Sequence, residues 1–96
     1  MERKQAETLG DVLKQYLHAL GADKKILEMR ALNSWEKIVG QAVAKITSDL
    51  RIQDGVLTVK FRSPLVRSEI KMHKTVIIKR INEAVGEDYV KDLKIR

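Results

Sequence analysis

The sequence predicts an α+β domain of order α-α-β-β-α-β, with its helices packed on one face of a three-stranded mixed sheet. Three observations lead there. Residues 48–61, SDLRIQDGVLTVKF, alternate polar and apolar on either side of Asp54-Gly55, a pair that tolerates the positive φ angles of a type I′ turn and so favours a two-residue hairpin. Upstream, apolar residues recur at helical spacing in two successive stretches. Downstream, Ser63-Pro64 opens another helical stripe, which leads into the alternating segment YVKDLKIR at 89–96. The last three elements then read as a strand, a crossover helix and a parallel strand.

Residues 1–7 are expected to form a flexible N-terminus and residues 8–96 a single domain. Thr8 and Asp11 have capping-box spacing, and Asp11 also places a negative charge at the positive end of the helix dipole. Leu9, Val12, Leu13, Tyr16, Leu17 and Leu20 follow at helical spacing, and Gly21 is the expected stop. Asp23 caps a second helix with Leu27, Ala31, Trp35, Ile38 and Ala42 on one stripe and Leu32, Val39 and Val43 widening it. Asn33 and Glu36 also have capping-box spacing, but no Gly or Pro intervenes before Gly40, so one long helix is expected. Trp35, the single tryptophan, is the expected core anchor.

In the hairpin, a two-residue loop sets Gln53 opposite Val56, Ile52 opposite Leu57, Arg51 opposite Thr58, Leu50 opposite Val59, Asp49 opposite Lys60 and Ser48 opposite Phe61. Every large apolar residue except Val56 then shares one face, and Asp49, Arg51, Gln53, Thr58 and Lys60 line a wet one. In the third helix, Ser63 caps and Pro64 takes the first helical position. Val66, Ile70, His73, Ile77, Ile81 and Ala84 form its inward stripe, Arg67, Lys71 and Lys74 a separate outward one, and Gly86 ends it. In the last strand Leu93 and Ile95 point inward, with Asp92, Lys94 and Arg96 outward. The open side of the sheet is thus expected to display Arg51, Lys60, Arg62, Lys94 and Arg96.

The chain has 96 residues and no cysteine, which removes disulfides, thiolate metal sites and thiol nucleophiles together. No apolar run approaches the roughly 18 residues needed to span a bilayer, and no apolar segment follows the charges of MERKQAETLGD. A cytoplasmic protein with no membrane partner is expected. The formal net charge is +6, from 19 basic and 13 acidic residues. The window Lys60–Arg80 holds seven basic residues against Glu69 alone, so it accounts for the entire excess. Such a concentration suits an anionic partner such as nucleic acid; a solvated helix face is the plainer alternative.

No nucleophile elbow, reactive cysteine or phosphate-cradling glycine loop is present. His18 and His73 are far apart and lack an i, i+4 partner, so no metal site is expected. Glu87-Asp88 follows Gly86 in a turn, where acids are ordinarily solvated. A binding protein without a cofactor, not an enzyme, is the reading.

Trp35-Glu36-Lys37-Ile38-Val39-Gly40, then Asp54-Gly55-Val56-Leu57-Thr58-Val59, then Ser63 followed by Ser68-Glu69-Ile70 resemble the W-x-x-I-V-G, D-G-x-L-x-V and S-x(5)-E-L pattern of the DciA-like proteins. The resemblance covers roughly residues 8 to 96. It implies a KH-like domain that acts with the bacterial replicative DNA helicase at replication initiation. It also makes Arg51, Lys60, Arg62, Arg67, Lys71 and Lys74 candidates for contacting the nucleic-acid backbone, all of them expected at the solvent surface. Many members carry an aromatic residue where this chain has Val66, and longer members add a flexible extension implicated in helicase binding.

KH modules grip four nucleotides with a G-x-x-G loop, and the five glycines here never fall at that spacing. Of the four aromatic residues, Tyr16, Trp35 and Phe61 are expected in the core, which leaves little for base stacking. Binding to single- or double-stranded DNA, or to RNA, should therefore be electrostatic and steeply salt-dependent. Three functions stay open at this point: a replication accessory protein, an RNA- or ribosome-associated KH-like protein, and an interaction domain for an acidic protein partner.

Overall fold

The computed structural model describes residues 8–19 and 23–96, apart from the side chain of Leu17. The expected N-terminal arm and the end of the first helix at Leu20-Gly21 lie outside those residues. The described residues form α1 (Leu9–Ala19), α2 (Asp23–Val39), α3 (Gln41–Lys45), β1 (Thr47–Gln53), β2 (Val56–Phe61), α4 (Pro64–Met72), α5 (Lys74–Val85) and β3 (Asp92–Ile95). The sheet order is β1-β2-β3, with β1 antiparallel and β3 parallel to β2. The mixed α+β architecture is as the sequence predicts. Among the described residues no helix is long and apolar enough to cross a membrane.

The hairpin turns on Asp54 at φ 49° and Gly55 at φ 81°, both positive as a type I′ turn requires. Gly55 is also a point of close approach. A Cβ there would sit 2.9 Å from the Tyr89 carbonyl oxygen, and the Gly55 carbonyl accepts from Lys91 N–H at 2.7 Å. Five of the six expected cross-strand pairs are present, but Phe61 faces Thr47 and not Ser48, because the register shifts between Thr47 and Asp49. Strict alternation would turn Thr47 to the wet side with Asp49 and Arg51. The extra residue turns it inward, where its hydroxyl accepts from Trp35 Nε1 at 3.1 Å and donates to the Val43 carbonyl at 2.8 Å.

Trp35 is buried as expected, in a cluster with Ala31, Leu57, Val59, Phe61, Ile70, Ile77, Ile81, Val85, Val90 and Leu93. Leu57, Val59, Ile81, Val85 and Leu93 are fully enclosed, and burying each such side chain contributes roughly 1.5–3 kcal/mol. α2 runs along α5 and against β1, while α4 lies against β2 and β3.

Three expectations about the helices are corrected. The second helix stops at Val39, because Gly40 adopts φ 91° and the chain restarts as α3; Ala42 is exposed there. The third divides at His73, whose φ of −106° and ψ of 13° end α4 and begin α5. That corner lets α4 face β2 while α5 turns to α2, and both helices touch β3. It leaves His73 and Ala84 exposed, and Val85 takes the inward place. The first helix is capped as predicted, with Asp11 N–H donating to Thr8 Oγ1 at 3.1 Å and Thr8 N–H to Asp11 Oδ2 at 3.2 Å. Of its apolar stripe, Leu9, Val12, Leu13 and Tyr16 are nevertheless exposed. Leu9 is 84% exposed and Tyr16 61%, so Tyr16 is no core residue, and α1 rests beside α2.

The final strand is shorter than its alternating pattern, beginning at Asp92. Tyr89 and Val90 instead fasten the preceding loop. The Tyr89 hydroxyl reaches Glu28 Oε2 at 3.3 Å, and Val90 exchanges two hydrogen bonds with the Asn82 side chain. Burial pushes the Tyr89 phenol pKa up, and the Glu28 carboxylate adds to that.

Candidate nucleic-acid interface

The open face of the sheet is organised by register. Gln53, Val56 and Asp92 form one cross-strand row, and Arg51, Thr58 and Lys94 the next. Arg96 N–H donates to the Val59 carbonyl and its carbonyl accepts from Phe61 N–H, both at 2.9 Å. Arg96 therefore flanks Lys60, and Asp49, Lys60 and Arg96 make a third row. Within a strand, side chains of one face recur about every 6.6 Å, and neighbouring strands lie about 4.8 Å apart. Two of the three rows carry cations.

The acids on this face do not cancel the cations uniformly. Arg51 donates from Nε and Nη2 to Asp49 Oδ2, at 2.9 and 2.7 Å, and this holds the Asp49 carboxyl below the usual carboxylate range. Lys74 reaches across from the start of α5 to Asp92 Oδ1 at 2.8 Å. That bond, with help from the Leu93 backbone N–H, lowers the Asp92 pKa as well. Lys60, Lys94 and Arg96 are exposed and take no part in the ion pairs of the described residues.

Next to this face, a cleft of about 450 Å³ runs between the α4–α5 corner and β3, lined by Lys71, Lys74, Leu93, Lys94, Ile95 and Arg96. Lys94 and Arg96 thus belong both to the sheet face and to the cleft. They join residues that the sequence places on different elements. Arg62 lies one residue past β2, beside a smaller recess of about 350 Å³ lined by Lys45, Ile46, Ser48, Arg62 and Ser63. Ser63 caps α4 as expected, accepting from Val66 N–H at 3.3 Å.

The six sequence-predicted residues are therefore differently placed. Lys60 and Lys71 border the shared cations Lys94 and Arg96, and Arg62 stands exposed at the end of β2. Arg51 is exposed but held by Asp49. Lys74 is turned to Asp92 and has left the outward stripe expected with Arg67 and Lys71, because the helix breaks before it. Arg67 is half-buried, with Nη1 donating to the Phe61 carbonyl at 2.7 Å, so the expectation that it is simply solvent-facing is corrected. Lys94 and Arg96 were legible on the open face from the alternation of YVKDLKIR. Their position beside Lys71 was not.

No aromatic ring reaches this surface. Trp35 and Phe61 are buried, Tyr89 is tied to Glu28, and Tyr16 sits on α1. Among the described residues no group of three or more His, Asp or Glu side chains is placed to hold a metal ion. Glu87, Asp88 and His73 are exposed. His18 Nδ1 instead pairs with Asp23 Oδ2 across the junction of α1 and α2, which raises the imidazole pKa.

The chain matches the sequence profile of the family described as Dna[CI] antecedent, DciA, over residues 8–95. A UPF0232 protein of Mycobacterium tuberculosis (strain H37Rv) is 27% identical over 89 residues, covering 93% of this chain and 48% of the relative. Another, from Rhodococcus jostii (strain RHA1), is 31% identical over 75 residues, covering 78% and 40% respectively. A UPF0232 protein in the recF-gyrB intergenic region of Mycolicibacterium smegmatis is 24% identical over 94 residues, covering 98% and 48%. The chain spans about half the length of the curated relatives it matches. Since the profile extends from the capping threonine of α1 to the last residue of β3, this chain belongs to the DciA family.

Proposed function

We propose that this chain is a cytoplasmic, non-enzymatic DNA-replication accessory module that binds DNA without sequence preference and acts with the replicative DNA helicase. The observation that carries the DNA-binding part is the convergence of Lys60, Lys71, Lys94 and Arg96 on one surface without aromatic rings. Backbone phosphates are the ligand such a surface fits, because lysine and arginine neutralise them without reading bases. The helicase part rests on membership of the DciA family.

We read the domain as KH-like with a changed grip. The α4–α5 corner is Met72-His73-Lys74-Thr75, with no glycine to bring backbone amides close to a phosphate, so lysine side chains take over that task. A protein-docking role is favoured by a separate observation. Leu9, Val12, Leu13 and Tyr16 form an exposed apolar stripe on α1, and an 11-residue helix is marginal in water without a packing partner.

The test is gel filtration of the purified protein with the purified replicative helicase of the source bacterium, after nuclease treatment and again with added DNA. Co-elution after nuclease treatment supports a direct helicase partner. Separate elution in both conditions removes the helicase from the reading, and co-elution of the chain with added RNA but not with added DNA, in a parallel run, moves it to the RNA-associated alternative.

A further inference from the structure

We infer that the basic surface takes duplex DNA in preference to a single strand, with Lys94 and Arg96 at the centre of the contact. The inference rests on the proposed nucleic-acid role and narrows its substrate. Proteins that favour single strands combine a basic groove with aromatic side chains on which successive bases stack. All four aromatic residues of this chain are accounted for elsewhere: Trp35 and Phe61 in the core, Tyr89 on Glu28 and Tyr16 on α1. Without those rings, affinity here rests chiefly on phosphate neutralisation.

Under that condition charge density decides. Duplex DNA presents one charge per about 1.7 Å of helix axis against about 3.4 Å for one strand, and each neutralised phosphate contributes more to the salt slope in the duplex, about 0.9 against 0.7. The arrangement of the cations agrees. They spread in two dimensions, from Lys60 on β2 to Lys94 and Arg96, two residues apart along β3, and then to Lys71 beyond the sheet edge, while Arg51 on β1 is held by Asp49. The patch thus runs across a strand spacing of about 4.8 Å and along about 6.6 Å of β3 before it crosses the cleft to Lys71, a breadth that suits the two backbones of a duplex better than one strand. Lys94 and Arg96 lie between Lys60 on the sheet and Lys71 across the cleft, which puts them at the centre of the patch.

The experiment is fluorescence anisotropy with a 20-base-pair DNA duplex and with each of its strands, across a salt series, for the intact chain and for Lys94→Gln/Arg96→Gln. The expected result is at least a fivefold tighter duplex complex, and a duplex log–log salt slope that falls by about 1.8 in the double variant. Equal or tighter binding of the single strands overturns the duplex preference while leaving the nucleic-acid reading intact. An unchanged slope in a double variant whose circular dichroism matches the parent overturns the assignment of Lys94 and Arg96. Absence of binding to every probe removes the nucleic-acid reading and the inference together.

Discussion

Lys74 Nζ lies 2.8 Å from Asp92 Oδ1, joining the first residue of α5 to the first residue of β3 across the mouth of the basic cleft. The pair both anchors the α4–α5 corner and occupies a lysine that would otherwise face the ligand. Asp92→Asn should therefore tighten binding to a duplex probe at low salt and steepen the salt slope by about one contact. Anisotropy titrations measure both. Because the Asp92 pKa is lowered in the fold, its contribution to stability is present above the ordinary carboxylate range and lost as pH falls through the folded value. The variant should lose that acid-limb dependence.

Trp35→Ala should cost on the order of 3–5 kcal/mol, the usual range for removing a buried large aromatic side chain. The ring is 3% exposed and its N–H is satisfied by Thr47. Thr47→Val should cost less, on the order of 1–3 kcal/mol, because it leaves that buried donor without an acceptor. Urea unfolding of the two variants gives the comparison.

Gly55→Ala tests the hairpin as the organising element. Alanine is disfavoured at φ 81° and its Cβ would press on the Tyr89 carbonyl. A loss of roughly 1–3 kcal/mol is expected, read by the same unfolding method. Gly40→Ala, at φ 91° and ψ 163° with nothing within 4 Å, should cost stability through its own backbone strain, without a clash.

His18 should titrate above its ordinary range because Asp23 accepts from it and opposes its charge. Its raised pKa means that the pair stabilises the α1–α2 junction fully below the unfolded value, and that this contribution fades as pH rises through the folded one. Following the His18 ring protons by NMR from pH 5 to 8 should show the upward shift, and Asp23→Asn should reverse it.

The elements with a strong local code were legible in the sequence. Asp54-Gly55 dictates its own turn and Ser63-Pro64 its own helix start, and the large apolar ring of Trp35 has the most to gain from burial. Long-range competition explains the rest. His73 falls at perfect helical spacing between Ile70 and Ile77, yet the chain turns there, so that α4 packs on β2 and α5 on α2. The register shift that accompanies the Trp35–Thr47 hydrogen bond is one that alternation cannot reveal. Leu9, Val12 and Tyr16 have the spacing of a buried face, but periodicity says only that residues share a side, not that something covers it. Of the interface, the basic window was visible, while the convergence of Lys71 with Lys94 and Arg96 depends on β3 pairing with β2.

The central claim is that DNA is held by the exposed cations of this surface. Its most direct test is the triple variant Lys60→Glu, Arg62→Glu, Lys71→Glu, with the half-buried Arg67 left in place to preserve its bond to the Phe61 carbonyl. The variant should keep the parent circular dichroism spectrum and unfolding midpoint while losing duplex binding by a hundredfold or more at low salt, roughly what three reversed phosphate contacts imply. A folded triple variant that binds the same duplex with the parent affinity and salt slope would contradict the account.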